Sequence, residues 1–433
     1  MDVLLVNAST KEKSRHASLN PPLGLAYIAA VLLEHGYSVY AIDFNVGGFN
    51  PRILQNIIEQ EHPRIIGISA HTETYTTGLK IARFAKQESP GITVIMGGTH
   101  ATIMHSDVAK QRDVDVVALG EGEHTMLELA GHFIKGRGNL SEIKGIVYKD
   151  KGSIRLTPER PFIEHIDELP FPARYLFPMP LYENAGQVLI SRGGCPFRCR
   201  FCAVNNIWKG GRRFRSVDNV IEEIIHICNS YQLEEINFAD DTFTLNRGKV
   251  IELCNKSNIL QSMFPWRWKC ATRVDLVDRE LLEQMRDAGC YSITYGIESG
   301  SQKILDYIDK GITLEQVREA VQTTLDVGIG VVCAFMFPHP WDTAETIREQ
   351  KNFMKELIEL GVTETLASTT PFPGTYYYEN AKNLGIKILA SDWGEYDAKH
   401  LMISTKNLTE EELADLLEEL VSEVGLETES TCL

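Results

Sequence analysis

A chain of 433 residues, 43% hydrophobic and 24% charged, has the balance of a globular protein with room for two or three buried cores. Its formal net charge of −16 excludes a nucleic-acid surface as the default partner, because phosphate binding calls for lysine and arginine. No apolar run approaches the ~18 residues of a membrane span, and the opening MDVLLVNAST lacks the basic start of a signal peptide, so the expected location is the cytoplasm, with no membrane partner.

In chain order, VLLVN reads as a strand and PPLGLAYIAAVLLEHG as a helix closed by Gly36. Strands VYAIDF, RIIGIS, ITVIMGG and VDVVALG follow, separated by helical stretches such as TTGLKIARFAKQ. Apolar strands between helices belong to a parallel sheet covered on both faces. Residues 1–140 are therefore expected to form a doubly wound, Rossmann-like α/β domain with ligands at the carboxyl ends of its strands. Residues 141–185 read as a connector, with the hairpin GIVYKDKGSIRL and then the proline-dense IDELPFPARYLFPMP. Alternation resumes over 186–395 with strands QVLIS, EEINFAD, WKCATR, SITYGIE, GVVCAFMF and ETLASTTP. Six β/α units predict a partial TIM-type barrel with its site at the C-terminal strand ends. The rest, 396–433, holds TEEELADLLEELVSEVG, an acidic amphipathic helix started by a Thr409 cap and packed on the barrel.

The segment SRGGCPFRCRFCAV, 191–204, sets Cys195, Cys199 and Cys202 as C-x3-C-x2-C directly after the first barrel strand. A thiolate metal site closes with four ligands, and an iron–sulfur cluster normally takes four cysteines. Either a fourth ligand comes from far away in the chain, or the open corner is where chemistry happens. Structural zinc is disfavoured, since the sequence has no second CxxC and no histidine pair at zinc spacing. Nine cysteines, an odd number with none before residue 195, disfavour a disulfide framework. Cys228, Cys254, Cys270, Cys290 and Cys333 fall in predicted helices or strands and read as buried, inert thiols. Cys432, in the tail, is open to reaction but has no partner in the sequence. The basic run KGGRRFR, 209–215, reads as an anion or cofactor contact or a solvated face.

This cysteine triplet, with Phe201 before its last member and Gly193–Gly194 at its mouth, resembles the radical S-adenosylmethionine superfamily. The resemblance implies a [4Fe–4S] cluster on Cys195, Cys199 and Cys202, its fourth iron bound by the amino and carboxylate groups of S-adenosylmethionine. It further implies reductive cleavage of that cofactor to methionine and a 5′-deoxyadenosyl radical. FADDTFTL, 238–245, is similar to the family's second-strand stretch, where Asp240 and Asp241 lie near the methionine moiety; helix capping is the alternative. YGIESGSQKIL, 295–305, is similar to the ribose-binding strand, which would put Glu298 and Ser299 in the barrel mouth. Arg273, in CATRVDLVD, suits the cofactor's carboxylate, with a strand-end salt bridge as the alternative. TPFPGTYYYENA, 370–381, resembles the last barrel segment and would place Tyr376 and Tyr377, as catalytic candidates, on the substrate side. FPHPWDT, 337–343, departs from the GLPGET of many relatives, which leaves adenine contacts there open and marks a substrate-specific feature.

The front domain's NPPLGLAYIAAVLLEHGY, GISAHTETY, MGGTHAT and ALGEGE resemble the cobalamin-binding group of that superfamily. Gly97, Gly98, Gly120 and Gly122 mark strand ends where backbone would approach a macrocycle, with Glu121 in the last of these loops. Ser69, Thr72 and Thr99 are candidates for bonding a nucleotide tail. A degenerate domain serving assembly or substrate docking is the alternative. His71 and His100 stand in candidate loops without a D-x-H-x-x-G setting, so the expected cobalamin is base-off with no histidine on cobalt.

The activity implied is that of a cobalamin-dependent radical methyltransferase. It would move a methyl group from methylcobalamin to an unactivated carbon of a small-molecule or peptide substrate held where the two domains meet. An external one-electron donor of the flavodoxin or ferredoxin type is implied too. The alternatives are a cyclase or ring-rearranging enzyme with the same cofactors and, from another class, a catalytically silent cobalamin- or redox-responsive binding protein. A methylthiotransferase is disfavoured, because those relatives carry cysteines in the front domain.

Overall fold

Short apolar runs build the first sheet: β1 (Val3–Asn7), β2 (Val39–Asp43), β3 (Ile65–Ser69), β4 (Thr93–Gly97) and β5 (Val116–Ala118), all parallel. Every residue of β1 is buried, as a strand covered on both faces requires. The spatial order β2-β1-β3-β4-β5 reverses direction between β1 and β3. That switch point opens a crevice at the carboxyl strand ends, where ligands of doubly wound folds bind. Helix Leu23–Glu34 ends as expected, with Gly36 at φ +77 donating its N–H to the Leu33 carbonyl.

The computed structural model describes residues 1–10, 19–209, 211–261 and 266–425, so Cys432 and Gly210 lie outside the described residues. It divides into two compact units, Met1–Ala185 with Asp392–Glu395, and Gly186–Ser391 with Tyr396–Leu433.

In the first unit the hairpin β6 (Ile146–Asp150) and β7 (Ser153–Leu156) adds antiparallel to β5, so the sheet has seven strands and the hairpin is its edge rather than a free-standing part of a connector. The proline-dense stretch is tied back to the strand ends. Tyr182 donates its hydroxyl to Asp43 Oδ2 (2.8 Å), while Asn7 Nδ2 (2.9 Å) and the Asn45 N–H (2.8 Å) donate to Oδ1. Residues 392–395 complete this unit: Thr76 donates to the Asp392 carboxylate, and Trp393 sets its ring edge-on to His100 at 5.1 Å.

The second unit starts with β8 (Gln187–Val188) and the antiparallel pair β9 (Ser191–Gly193) and β10 (Arg212–Phe214). Then β11 (Glu235–Phe238), β12 (Arg267–Thr272), β13 (Cys290–Glu298), β14 (Gly330–Phe337) and β15 (Thr363–Ser368) follow, each parallel to its neighbour. Spatial order repeats chain order from β8 to β15, the path of a partial barrel. One face buries Ile293, Tyr295, Ile297, Cys333, Phe335 and Phe337. The other carries small and polar side chains, including Asn237, Lys269, Ser292 and Thr294, around a cavity of about 490 Å³. The pair β16 (Lys387–Ile388) and β17 (Ile403–Ser404) precedes the acidic helix Glu410–Val424. Thr409 caps that helix reciprocally with Glu412, and Leu413, Leu417, Leu420 and Val424 are buried. Lys351, on helix Ala344–Glu359, pairs with Glu419 and Glu423 of the acidic helix.

Cys254, Cys270, Cys290 and Cys333 are buried and Cys228 is half-buried. Burial raises the thiols of Cys228, Cys270 and Cys333 and pushes Cys254 up to about 12, which suits packing rather than reaction.

Glu364 on β15 is 5% exposed, and neither of its carboxylate oxygens has a hydrogen-bond partner among the described residues. Burial pushes this carboxyl up from the ordinary 4.5 to about 8. The folded chain therefore keeps a proton that the unfolded chain has released, and the stability this confers is full below pH 4.5 and is lost as pH rises through 8. Glu364→Gln is expected to melt above the parent at pH 8 and to converge with it toward pH 4.5. Thermal melts across that range check it, and a parent-like pH slope in the variant contradicts it.

Candidate functional site

The cysteine loop is pinned at its root. At Gly193, φ is +118 and an added Cβ would fall 1.7 Å from the Gly211 carbonyl oxygen, so only glycine lets β9 and β10 cross there. Asp240, just past β11, is buried and accepts from the Ile190 N–H (3.0 Å), the Ser191 N–H (2.8 Å) and the Ser191 hydroxyl (2.5 Å). Burial outweighs those bonds and pushes its carboxyl up to about 6. With both oxygens turned to the first strand, Asp240 holds the loop's root rather than a methionine moiety. Asp241 is exposed, and crowding by protein raises its carboxyl as well.

Cys195, Cys199 and Cys202 are each half-buried. Cys195 Sγ stands 3.5 Å from Thr242 Oγ1, and the Cys202 N–H donates to the Cys199 carbonyl at 3.1 Å. Burial raises Cys199, and it takes Cys202 up to about 11 with help from the negative charge of the other two thiols. Lys310 and Arg273 pull Cys199 back down. Among the described residues no three metal-binding side chains converge on one point. Three cysteines on one loop suit a cluster in which each takes a different iron.

Beside the loop, β13 slips register between Gly296 and Glu298, and Glu298 takes φ +74. A non-glycine residue there is strained by about 1–3 kcal/mol and needs support from its surroundings. Its carboxylate meets Lys310 Nζ at 2.7 Å, the two side chains being 12% and 6% exposed. Arg273 donates from Nε and Nη2 to Asp275 (2.9 Å each) and from Nη2 to the Lys310 carbonyl (2.8 Å), with its guanidinium 3.6 Å from the Phe197 ring centre. The strand-end salt bridge is thus formed, and Nη1 is buried and without a partner among the described residues. Ser299 is fully buried, its hydroxyl accepting from the Ser301 N–H at 3.2 Å, which serves the turn. Phe201 lies with its ring centre 5.8 Å from Lys310 Nζ and 6.3 Å from the His339 ring.

The two tyrosines part company. Tyr376 is 43% exposed, with the Arg200 guanidinium 5.1 Å over its ring. Tyr377 is wholly buried and bonds His339 Nδ1 at 3.0 Å, so it belongs to the core and not to the substrate side. Lys310 and His339 were missed by sequence reasoning; the only signal was that FPHPWDT departs from the usual loop. Of the basic run 209–215, Arg212–Phe214 form β10 and Arg215 is buried against Glu223.

In the first unit, Ser69 and Gly97 end β3 and β4 side by side. His71, exposed, bonds Thr99 Oγ1 through Nδ1 at 3.0 Å. Gly98 has φ +99, and a Cβ there would lie 2.6 Å from the Ala70 carbonyl oxygen, so its glycine serves the crossing of two loops. Gly122 is likewise close to Ile28, whereas Gly120, at φ +66, faces open space. Glu121 accepts from the Ile163 N–H at 2.8 Å and is buried. His100 bonds Thr72 Oγ1 through Nδ1 (3.2 Å) and stacks on Tyr75 at 4.2 Å. Burial lowers its imidazole to about 4. Thr72, His100, Glu121, Gly98 and Gly122 thus serve the domain's own packing. Ser69, Gly97, Thr99, His71 and Gly120 are left around the strand ends.

Residues 16–130 match the B12 binding domain family and residues 189–354 the Radical SAM superfamily. The chain is 34% identical over 427 residues to an uncharacterised methyltransferase of Pyrococcus horikoshii, covering 96% of this chain and 91% of the relative. It is 28% identical over 390 residues to an anaerobic magnesium-protoporphyrin IX monomethyl ester cyclase of Rubrivivax gelatinosus, covering 87% and 68%. Its fold matches that of the radical S-adenosylmethionine methyltransferase TsrM from Kitasatospora setae, solved with cobalamin and a [4Fe–4S] cluster bound. There the TM-score is 0.77 at 16% identity, over 98% of this chain and 89% of that one.

Removing Asp240 leaves the buried Ile190 N–H unmatched, at a cost of about 1–3 kcal/mol, and frees the part-buried Ser191 N–H and hydroxyl at a smaller one. After anaerobic reconstitution and desalting, iron retained per chain is expected to fall in the order parent, Asp240→Asn, Asp240→Ala, with the far-ultraviolet circular dichroism kept. Equal iron in all three contradicts the role given to this carboxylate.

Proposed function

The chain belongs to the cobalamin-binding radical S-adenosylmethionine enzymes, and we propose that it is a methyltransferase acting on an unactivated carbon of a small-molecule or peptide substrate. The observation that carries this reading is the gathering of Cys195, Cys199 and Cys202 on one loop beside Glu298, Lys310 and Arg273, in a chain with a complete B12-type sheet. Bound there, the reduced cluster with S-adenosylmethionine supplies a hydrogen-abstracting radical, and cobalamin supplies the methyl group.

The three cysteines would hold the cluster and leave one iron to the amino acid end of S-adenosylmethionine. Lys310 and Arg273 offset the charge that thiolates and cluster bring into a partly buried loop. Arg273 Nη1 is the donor left for the cofactor's carboxylate, and Asp241, on the exposed side, is an acceptor for its ammonium. Glu298, ion-paired with Lys310 Nζ at 2.7 Å, would accept from ribose hydroxyls. In the front unit, Ser69, Gly97, Thr99 and Gly120 would hold cobalamin. His100, neutral and stacked under Tyr75 with its Nδ1 on Thr72, is not offered to cobalt, and the lower face is read as free of histidine.

The electron is supplied from outside, by a carrier of the flavodoxin or ferredoxin type. Among the described residues no helix is long and apolar enough to cross a membrane. A cytoplasmic location fits the three thiols, which must stay reduced until iron takes them. The likeness to a cyclase favours one second reading, ring closure without methyl transfer.

The test is anaerobic reconstitution with iron, sulfide and cobalamin, followed by a low-potential reductant and S-adenosylmethionine. Cleavage of S-adenosylmethionine, base-off cobalt without imidazole nitrogen coupling in electron paramagnetic resonance, and a product heavier by one CH2 are expected. Replacing any one of Cys195, Cys199 and Cys202 by Ala is expected to abolish cleavage and spare cobalamin retention. A product of unchanged carbon count selects the cyclase reading, and absence of cleavage in the parent refutes both.

A further inference from the structure

The loop that departs from the family pattern folds into a closed device. After β14 the His339 N–H donates to Asp342 Oδ2 at 2.7 Å, and the Asp342 N–H returns to the His339 carbonyl at 3.0 Å. Thr346 donates its hydroxyl to Asp342 Oδ1 at 2.8 Å, and Thr343 caps the helix that follows. The turn leaves His339 fully buried, with both ring nitrogens engaged: Nδ1 with Tyr377 Oη at 3.0 Å and Nε2 with the Glu298 carbonyl oxygen at 3.3 Å. A carbonyl only accepts, so Nε2 carries the proton. Burial lowers this imidazole's pKa and keeps the ring neutral, so Nδ1 accepts from the tyrosine hydroxyl.

The far end of this relay is the strained residue of the site. Glu298 leaves the regular ladder at a register slip and holds φ +74, a left-handed conformation disfavoured for a residue with a Cβ. Its carbonyl is held by His339 and its carboxylate by Lys310 Nζ. The backbone angle sets the direction of the side chain, so whatever fixes the carbonyl also aims the carboxylate.

We propose that His339 is a positioning residue for nucleoside binding: the relay from Tyr377 through His339 to the Glu298 carbonyl holds Glu298 in its left-handed conformation and aims the carboxylate that receives the ribose of S-adenosylmethionine. This rests on the reading of Glu298 as a ribose acceptor. It also gives the altered loop 337–343 a task, since here a histidine side chain supports the neighbouring strand end.

Affinity for S-adenosylhomocysteine, measured by calorimetry on the iron-loaded protein, separates the two claims. His339→Leu, close in size but without a donor, is expected to bind about tenfold more weakly. His339→Gln, whose amide can still donate to the carbonyl, is expected to recover most of that loss, which a purely packing role does not predict. Tyr377→Phe removes only the hydroxyl that fixes the tautomer and is expected to weaken binding by a smaller factor. If Glu298→Ala binds like the parent, the ribose reading fails and the proposal falls with it. If Glu298→Ala loses affinity while the His339 and Tyr377 variants match the parent, the positioning role alone is overturned. Should His339→Leu not fold, Tyr377→Phe decides, and parent-like affinity there overturns the relay.

Discussion

Two backbone N–H groups and a hydroxyl converge on the buried carboxylate of Asp240, and the cysteine loop hangs from that knot. The first barrel strand needs it. β8 pairs with β11 over only two residues, Gln187 and Val188, and then leaves the ladder. Asp240 takes over where the sheet's own bonds stop, replacing strand pairing by bonds to a carboxylate, which are stronger than bonds between neutral groups. The β9–β10 pair then closes the base of the loop, with Gly193 at the crossing. Three thiols can therefore stand at the rim without a disulfide or a long strand to hold them.

Local charge runs against the charge of the whole. The chain carries −16, yet Lys310 and Arg273 are both placed within electrostatic reach of Cys199, and each is largely buried. Burial alone raises the thiols of Cys199 and Cys202, and an iron centre requires its thiols ionised. The two cations lower that barrier at Cys199. Each has its own counter-ion, Glu298 for Lys310 and Asp275 for Arg273. The balance is one of exchange: a ligand's carboxylate and hydroxyls would compete for donors and acceptors that the protein already pairs.

Much of this was legible in the sequence, and what was not has physical reasons. A parallel strand buried on both faces announces itself as an apolar run, as β1 does, and a strand buried on one face as an alternation, as β12, β14 and β15 do, which is why the parallel strands of both units could be read. The attachment of β6 to β5 could not, because a hairpin's turn chemistry says nothing about which sheet it joins. Asp240 and Asp241 look alike in sequence, but neighbouring residues at a strand end point to opposite sides, and only one faces the first strand. In TYYY no period marks which ring goes inward; the partner of Tyr377 is His339, 38 residues earlier, a contact that local pattern does not carry. Arg273 had two readings in view; the salt bridge to Asp275, two residues on, is formed, while its Nη1 has no partner among the described residues.

The front domain is finished late. Asp392–Glu395 belong to it, although everything between Gly186 and Ser391 is part of the other unit. Chains leave the ribosome N-terminus first and fold domain by domain as they emerge. During that interval the seven-stranded sheet can form, but His100 has Tyr75 on one side and lacks the Trp393 edge on the other. The last patch of this domain's interior is thus sealed only after the six-stranded sheet of the other unit has been made. A front half cut at Ala185 would be a half-closed vessel, and biosynthesis itself sets the order in which its wall is completed.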